Sequence, residues 1–181
     1  RMLFERNVPP QEVAAIVIEP LQGEGGYLIP PDGFLEGLRQ ICDEHGILLV
    51  FDEVQSGIGR TGKMFAAQHS GVQPDIMTLA KGLGSGMPIG AVVAKKQIME
   101  HWKRGAHGNT FGGNPLASAV GLAALDVLFD EGMIARSAEL GAHLLARLRT
   151  VQSPLIREVR GLGLFIGVEV DRDRITARDV V

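Results

Sequence analysis

The strongest constraint on the fold is a pair of apolar runs separated by one amphipathic stretch. Residues 13–18 (VAAIVI) and 47–51 (ILLVF) are continuous and rich in branched side chains, as is typical of buried strands. Between them, residues 33–45 have helical periodicity, with Asp32 as the expected cap and Gly46 as the expected stop. Strand, helix and strand at this spacing predict a parallel crossover unit, and therefore an α/β fold.

Two further apolar runs extend the predicted sheet. Residues 76–79 and residues 89–94 each have the length and composition of a short strand. The connection between them is shorter than the roughly dozen residues that a parallel crossover needs. We therefore expect the fourth strand to run antiparallel to the third.

The pattern changes in the last third of the chain. Asn114, followed by a proline, predicts the start of a helix that is apolar nearly all round and should therefore be buried. A second, amphipathic helix is predicted over about 134–149, and residues 162–170 alternate as in one half-buried strand. We place a domain boundary between residues 128 and 129, so that the predicted domains are 1–128 and 129–181.

Composition excludes several classes of function. The chain has 181 residues, a net charge of −3 and no basic run, so neither nucleic acid nor an anionic membrane is an expected partner. No apolar run reaches the roughly 18 residues of a membrane span. Cys42 is the single cysteine, which precludes an intrachain disulfide and suits a cytoplasmic location.

The first candidate site follows the strand ILLVF directly. Asp52, Glu53 and Gln55 would lie at the carboxyl end of that strand, where ligands bind in open α/β sheets. A carboxylate that leaves an apolar strand is costly unless a cation meets it. A helix cap or a structural ion pair is the alternative that these residues alone leave open.

The second candidate is Lys81, within the segment AKGLGSGMPIG that follows the third strand. Three glycines let the backbone fold closely around a ligand. Partial burial would favour the neutral amine that a Schiff base needs. A lysine in a surface turn is the plain alternative. Nucleotide binding by GLGSG is a weaker one, because a strand rather than a helix follows it.

Two more segments carry polar groups. HGNTFGGNP ends at a helix N-terminus that favours anions, and Thr110 offers a hydroxyl to a phosphate, although a simple capping loop would contain the same residues. In EPLQGEGG, Glu19 and Glu24 suit acid–base work or an ordinary surface loop. His107 has no partner at metal-ligand spacing, so we assign no metal site.

In this order, four segments resemble the class III (ω-amino acid) aminotransferases, which depend on pyridoxal phosphate. They are EPLQGEGG, LLVFDEVQSGIGRTG, PDIMTLAKGLGSGMPIGAVVA and HGNTFGGNP, and the resemblance runs over almost the whole chain. It implies the type I fold of pyridoxal-phosphate-dependent transferases. Residues 1–128 would form part of the mostly parallel large cofactor-binding domain, and residues 129–181 the start of the small C-terminal domain.

The resemblance also implies roles for the residues around the cofactor. Lys81 matches the lysine that forms the Schiff base with pyridoxal phosphate and later moves the substrate proton. Asp52 matches the carboxylate that keeps the ring nitrogen protonated. Gln55 matches the residue near the phenolic oxygen of the cofactor.

Three more matches concern the phosphate and the substrate. Thr110 matches a threonine that reaches the phosphate of the neighbouring subunit's cofactor, which implies a homodimer or a dimer of dimers. Glu24 matches the acid that pairs with a switch arginine, so that one site accepts both an ω-amine and a 2-oxo acid. Glu19 matches a carboxylate near the cofactor pocket.

The implied reaction moves an amino group from an ω-amino acid to a 2-oxo acid such as 2-oxoglutarate. GGYLIPP and HGNTFGGNP favour a 4-aminobutyrate-type enzyme. An acetylornithine-type aminotransferase, a racemase or aminomutase of the same fold, and a non-catalytic fragment are the alternatives. The family's phosphate loop and stacking aromatic would precede Arg1, and its switch arginine would follow Val181. We therefore expect a fragment that binds the cofactor weakly and turns over little.

Overall fold

The secondary structure follows the apolar runs closely. This computed structural model describes residues 2–180, with side chains from residue 4 onward. The strands are β1 (Ala15–Ile18), β2 (Leu48–Asp52), β3 (Ile76–Leu79), β4 (Ala91–Ala94), β5 (Ile156–Leu162) and β6 (Phe165–Val170). The helices are α1 (Met2–Arg6), α2 (Phe34–His45), α3 (Ala67–Ser70), α4 (Lys96–Met99), α5 (Pro115–Asp130), α6 (Met133–Arg149) and α7 (Ala177–Val180).

The first sheet has the strand order β1-β2-β3-β4. β1 and β3 both pair parallel with β2, and α2 makes the crossover between β1 and β2. β4 pairs antiparallel with β3, with Val92 opposite Thr78. Both the parallel crossover and the reversed fourth strand are therefore confirmed.

The two ends of α2 are set by glycines. Gly46 ends the helix as predicted, with a φ of 69° and its N–H donating to the carbonyl of Cys42. The predicted Asp32 cap is wrong, because Gly33 occupies the cap position with a φ of 79° and no side chain caps the helix. A turn closed by the N–H of Phe34 and the carbonyl of Pro31 carries the chain into the helix instead.

One face of the first sheet is packed, and the other, open face is only partly covered by the described residues. The packed face forms the main core with α2. Because Val17 pairs with Val50 and side chains alternate along a strand, Val17 lies on the open face, where it is 68% exposed. By the same register Asp52 and Thr78 also belong to the open face. The buried members of the core are Leu35, Cys42, Ile47, Leu49, Phe51, Ala67 and Val72.

A buried carboxylate ties the amino end of β3 to its neighbours. Asp75 Oδ2 accepts hydrogen bonds from the Leu49 N–H and from Arg39 Nη1, both at 2.8 Å, and Oδ1 accepts from Lys95 Nζ at 2.6 Å. Burial opposes ionisation of this carboxyl. The three donors outweigh that effect and lower the pKa of Asp75 to about 2.

Helix α5 begins as predicted but packs differently. Asn114 caps it, accepting a hydrogen bond from the Ala117 N–H at 2.9 Å. The expectation that the helix is buried on all sides is wrong, since Leu116 and Leu122 are each 64% exposed. Only a narrow strip that includes Gly121 packs inward, and within the described residues no element covers the rest of this apolar surface.

The predicted single strand over residues 162–170 is wrong. The chain reverses at Gly163 and Leu164, so that β5 and β6 form an antiparallel hairpin. Gly163 has a φ of 55°, and a Cβ there would lie 2.4 Å from the carbonyl carbon of Thr61. A Cβ on Gly141 would lie 1.9 Å from the Gly163 oxygen. Only glycine allows this approach. Because a two-residue turn preserves the alternation of apolar residues along the chain, the turn could not be recognised from that pattern.

The second sheet packs on α6, and α5 and α6 connect the two sheets. The boundary predicted between residues 128 and 129 falls in the last turn of α5 and stays a proposal. Arg1 and Val181, the outer ends of the two predicted domains, lie outside the described residues. Between residues 2 and 180, no helix combines the length and the apolar surface that a membrane crossing requires.

Candidate active site

Asp52 and Lys81 start from the same edge of the first sheet. Asp52 is the last residue of β2 and lies in register with Thr78 of β3, three residues before Lys81. The carboxyl ends of parallel strands share one edge of a sheet, which is where ligands bind in α/β folds. The backbone therefore places the carboxylate and the amine on adjacent strand ends.

Among the residues that the structure describes, donors reach one oxygen of Asp52. Oδ1 accepts hydrogen bonds from the Val54 N–H at 3.0 Å and from Thr78 Oγ1 at 3.3 Å, which fixes the carboxylate. Among the described residues, no donor bonds to Oδ2. Asp52 lines a cleft of about 670 Å³, together with Val17 and Glu19. The second oxygen can therefore accept a hydrogen bond from a ligand.

Lys81 follows the buried end of β3 and adopts a φ of 42°, a left-handed conformation that is strained for a lysine. Its predicted partial burial is wrong, because Lys81 begins a short 3-10 helix (Lys81–Leu83) after the strand and its side chain is exposed there. Its amine pairs with no described residue. Lys81 lines a cleft of about 400 Å³ with Tyr27, Gln55 and Phe165, separate from the cleft of Asp52.

The glycines after Lys81 allow the close backbone contacts of the turn that contains it. A Cβ on Gly84 would lie 2.1 Å from the Met87 carbonyl oxygen, so the turn closes only with glycine there. Gly82 lies against Ile58, whose Cβ would be 3.3 Å from an added methyl group. The turn of Lys81 therefore lies close to the segment that contains Ile58.

Glu24 and Gln55 are brought together across the sheet edge. Gln55 Nε2 donates to Glu24 Oε1 at 3.2 Å, and Glu19 Oε1 accepts from the Gly23 N–H at 3.1 Å. A Cβ on Gly23 would lie 2.7 Å from the side-chain carbon of Gln55. Segment 19–26 thus packs directly against the side chain of Gln55.

Thr110 lies elsewhere. It is exposed on the loop before α5, where Asn109 Oδ1 accepts two backbone N–H groups at 3.0 and 3.1 Å. Thr110 contributes to neither of the clefts that Asp52 and Lys81 line. Its expected role at the phosphate of a neighbouring subunit stays a prediction.

Sequence reasoning missed the role of Glu53. Its side chain is fully buried, and its carboxylate accepts three hydrogen bonds, from Ser56 Oγ at 2.9 Å and from the N–H groups of Ala66 and Ala67 at 2.8 Å. Burial raises the pKa of Glu53, the three donors oppose this, and the charge of Asp52 adds to it. The serine three residues after the acid is the one local signal that could have indicated the contact.

The chemistry of these groups fits pyridoxal phosphate. Asp52 Oδ2, which bonds to none of the described residues, suits a protonated ring nitrogen, and the Lys81 amine, which pairs with none of them either, suits an aldehyde. Among the described residues, no three His, Cys, Asp or Glu side chains converge as a metal site would require.

Comparison with known proteins decides the family. The sequence profile of the class-III aminotransferases matches residues 2–181. The chain belongs to the class-III aminotransferases. Ornithine aminotransferase 2 of Staphylococcus aureus is 49% identical to it over 162 residues, which are 89% of this chain and 41% of that protein. This class-III aminotransferase chain therefore spans less than half the length of that relative.

Solved structures agree. The ornithine aminotransferase of Toxoplasma gondii superposes with a TM-score of 0.91 at 46% identity, over 99% of this chain and 43% of that one. The acetylornithine aminotransferase of Elizabethkingia anophelis gives 0.85 at 44% identity, over 90% and 43%. These matches confirm the predicted class III family and its α/β fold. The Toxoplasma enzyme contains pyridoxal phosphate at partial occupancy in its active site.

Proposed function

We propose that the protein transfers the terminal amino group of an ω-amino acid to a 2-oxo acid such as 2-oxoglutarate, with pyridoxal phosphate as cofactor. The observation that carries this proposal is the placement of Asp52 and Lys81 on adjacent strand ends, each with a functional atom that no described residue uses. Class-III aminotransferases use this cofactor, which supports the proposal.

Three residues act on the cofactor directly in this proposal. Bound pyridoxal phosphate supplies an aldehyde and an electron-withdrawing ring. Lys81 would hold the cofactor through its Nζ atom and would carry the substrate proton at that atom. Asp52 Oδ2 would accept a hydrogen bond from the ring nitrogen and would favour its protonated form. Gln55, whose amide donates to Glu24, would serve the phenolic oxygen.

The remaining roles concern the subunit interface and the substrate. Thr110 would bind the phosphate in the neighbouring subunit, so the active protein would be a homodimer or a dimer of dimers. Its exposure on a loop that lines neither cleft supports that arrangement. Glu24 would release Gln55 to pair with a switch arginine. Glu19 would shape the pocket through the Gly23 backbone.

The relatives favour ornithine or its N-acetyl derivative as amino donor, because both named groups of enzymes appear among them. The 4-aminobutyrate expected from the sequence has no such support and becomes the second candidate. All three donors present a terminal amine, so the same lysine and carboxylate serve each of them. A cytoplasmic location also stays a prediction.

The test uses the protein expressed from its complete gene. It is saturated with pyridoxal phosphate, and glutamate formation from 2-oxoglutarate is measured with ornithine, N-acetylornithine and 4-aminobutyrate. Borohydride reduction followed by peptide mass spectrometry should locate the cofactor on Lys81. Lys81→Ala should abolish both signals, whereas Lys96→Ala, at an exposed helix position, should leave them unchanged.

Three results would contradict the proposal. The first is cofactor attached to another lysine. The second is no glutamate with any donor. The third is inversion of an amino acid without consumption of the 2-oxo acid, which would favour the racemase alternative.

A further inference from the structure

Glu53 is a buried carboxylate that the proposed chemistry does not use. It directly follows Asp52, is 0% exposed, and pairs with no cation among the described residues. Each of its oxygens is occupied, Oε1 by the Ala67 N–H and Oε2 by the Ala66 N–H and Ser56 Oγ. Burying a carboxylate costs free energy, which hydrogen bonds from three donors offset only in part. A role for the Glu53 side chain is therefore expected.

These hydrogen bonds close a loop. Glu53 lies at one end of residues 54–65, and its two backbone donors lie immediately beyond the other end. The Gly57 N–H also donates to the Glu53 carbonyl at 3.0 Å, and a Cβ on Gly57 would lie 2.7 Å from that oxygen. The loop is therefore folded around Glu53 with little room for another shape.

The closed loop contacts three of the segments around Asp52 and Lys81. Gln55 donates to Glu24, and Ile58 packs against Gly82, the residue after the lysine. The carbonyl of Arg60 accepts from the Leu164 N–H and from Ser137 Oγ, both at 3.0 Å, which joins the loop to the second sheet and to α6. The loop thus connects the lysine turn, the acid segment and the hairpin.

We propose that Glu53 is a positioning residue, whose buried carboxylate holds loop 54–65 in the shape that sets Gln55 and the turn of Lys81. It touches neither substrate nor cofactor. Its effect on catalysis rests on the proposed function, but its effect on the Lys81 turn does not.

Glu53→Gln tests this directly. An amide can keep only one acceptor oxygen, so its NH₂ group must face at least one of the backbone N–H donors. Asp75→Asn is the matched control. It also alters a buried acid that accepts a backbone N–H, yet Asp75 lies at the opposite end of β3 and contacts no part of the loop.

The first readout needs no cofactor. Hydrogen exchange of the apoprotein is compared in peptides covering residues 54–65 and 81–84. Glu53→Gln should speed exchange in both peptides more than in the rest of the chain, whereas Asp75→Asn, which lowers overall stability, should speed exchange in 81–84 no more than elsewhere. Faster exchange in 54–65 alone would overturn the proposal, since Glu53 would then support only its own loop.

The second readout uses the cofactor-loaded protein expressed from its complete gene. We expect Glu53→Gln to lower kcat by about 10- to 100-fold, because a displacement of about 1 Å at a reacting group costs that much. KM for the amino donor should change little, and the pH dependence of the visible cofactor absorbance should shift. Asp75→Asn should leave kcat and the absorbance titration unchanged. Identical values in both variants would overturn the proposal.

If Glu53→Gln does not fold, a less disruptive variant provides the test. Ser56→Ala removes one donor to Oε2 and leaves both backbone donors in place. It should produce the same changes in exchange and absorbance at smaller amplitude, and parent-like behaviour at 81–84 would overturn the proposal. If the parent protein binds no cofactor at all, the proposed function fails, while the exchange experiment still decides the role of Glu53.

Discussion

Replacing Asp75 by Asn should destabilise the protein through loss of one buried ion cluster. The carboxylate side chain is only 9% exposed and receives Arg39, Lys95 and the Leu49 N–H. Its pKa falls from 3.8 to about 2 in the folded protein. At roughly 1.4 kcal/mol per pKa unit, this corresponds to about 2.5 kcal/mol of stability at neutral pH. Two cations left near a neutral amide add to the loss, so we expect about 2–4 kcal/mol.

The pH dependence gives the sharper test. A depressed acid pKa stabilises the fold above 3.8, and that contribution disappears as pH falls through about 2. Urea unfolding followed by circular dichroism should therefore show a constant difference between parent and variant above about pH 5, shrinking steadily towards pH 2. Asp43→Asn is the control, because Asp43 pairs with the same arginine but is 66% exposed, and should cost less than about 1 kcal/mol. An equal cost for both variants, or a difference that persists at pH 2, would refute the reasoning.

Two further predictions concern packing and assembly. Gly163→Ala should lower the free energy of unfolding in urea by about 1–3 kcal/mol more than Gly132→Ala does. Both glycines have a positive φ, but only at Gly163 would an added Cβ meet backbone atoms within 3 Å. Equal losses in the two variants would contradict the close contact. If Thr110 serves the neighbouring subunit, mixing inactive Lys81→Ala and Thr110→Val proteins should restore activity at about a quarter of the sites, and no recovery after verified subunit exchange would contradict the shared site.

Local patterns predict those parts of the fold that depend on neighbouring residues in sequence. The short link before β4 required an antiparallel strand, and Asn114 capped α5 as its type and position indicated. The hairpin turn at Gly163 was missed because the reason for its glycine lies about a hundred residues away, at Thr61. The exposure of α5 was missed for a related reason, since an apolar helix surface does not identify the element that covers it.

In the candidate site too, local sequence predicts some features, whereas others depend on residues distant in sequence. Asp52 and Lys81 could be singled out because each follows an apolar strand, and strand ends converge at a sheet edge. The exposure of Lys81 and the contact between Gln55 and Glu24 depend on how loops fold over that edge. Glu53 was grouped with Asp52 by sequence alone, whereas in the structure both of its oxygens are occupied by three donors, two of them beyond the loop.

The claim on which the account rests is that one small heterocycle spans the amine at position 81 and the carboxylate at position 52. Nuclear magnetic resonance of the protein loaded with ¹⁵N-labelled pyridoxal phosphate reports the protonation of the ring nitrogen directly. We predict a protonated nitrogen in the parent protein and an unprotonated one in Asp52→Asn, with the cofactor still reducible onto Lys81 in both. A ring nitrogen whose signal is the same in the two proteins would contradict the account.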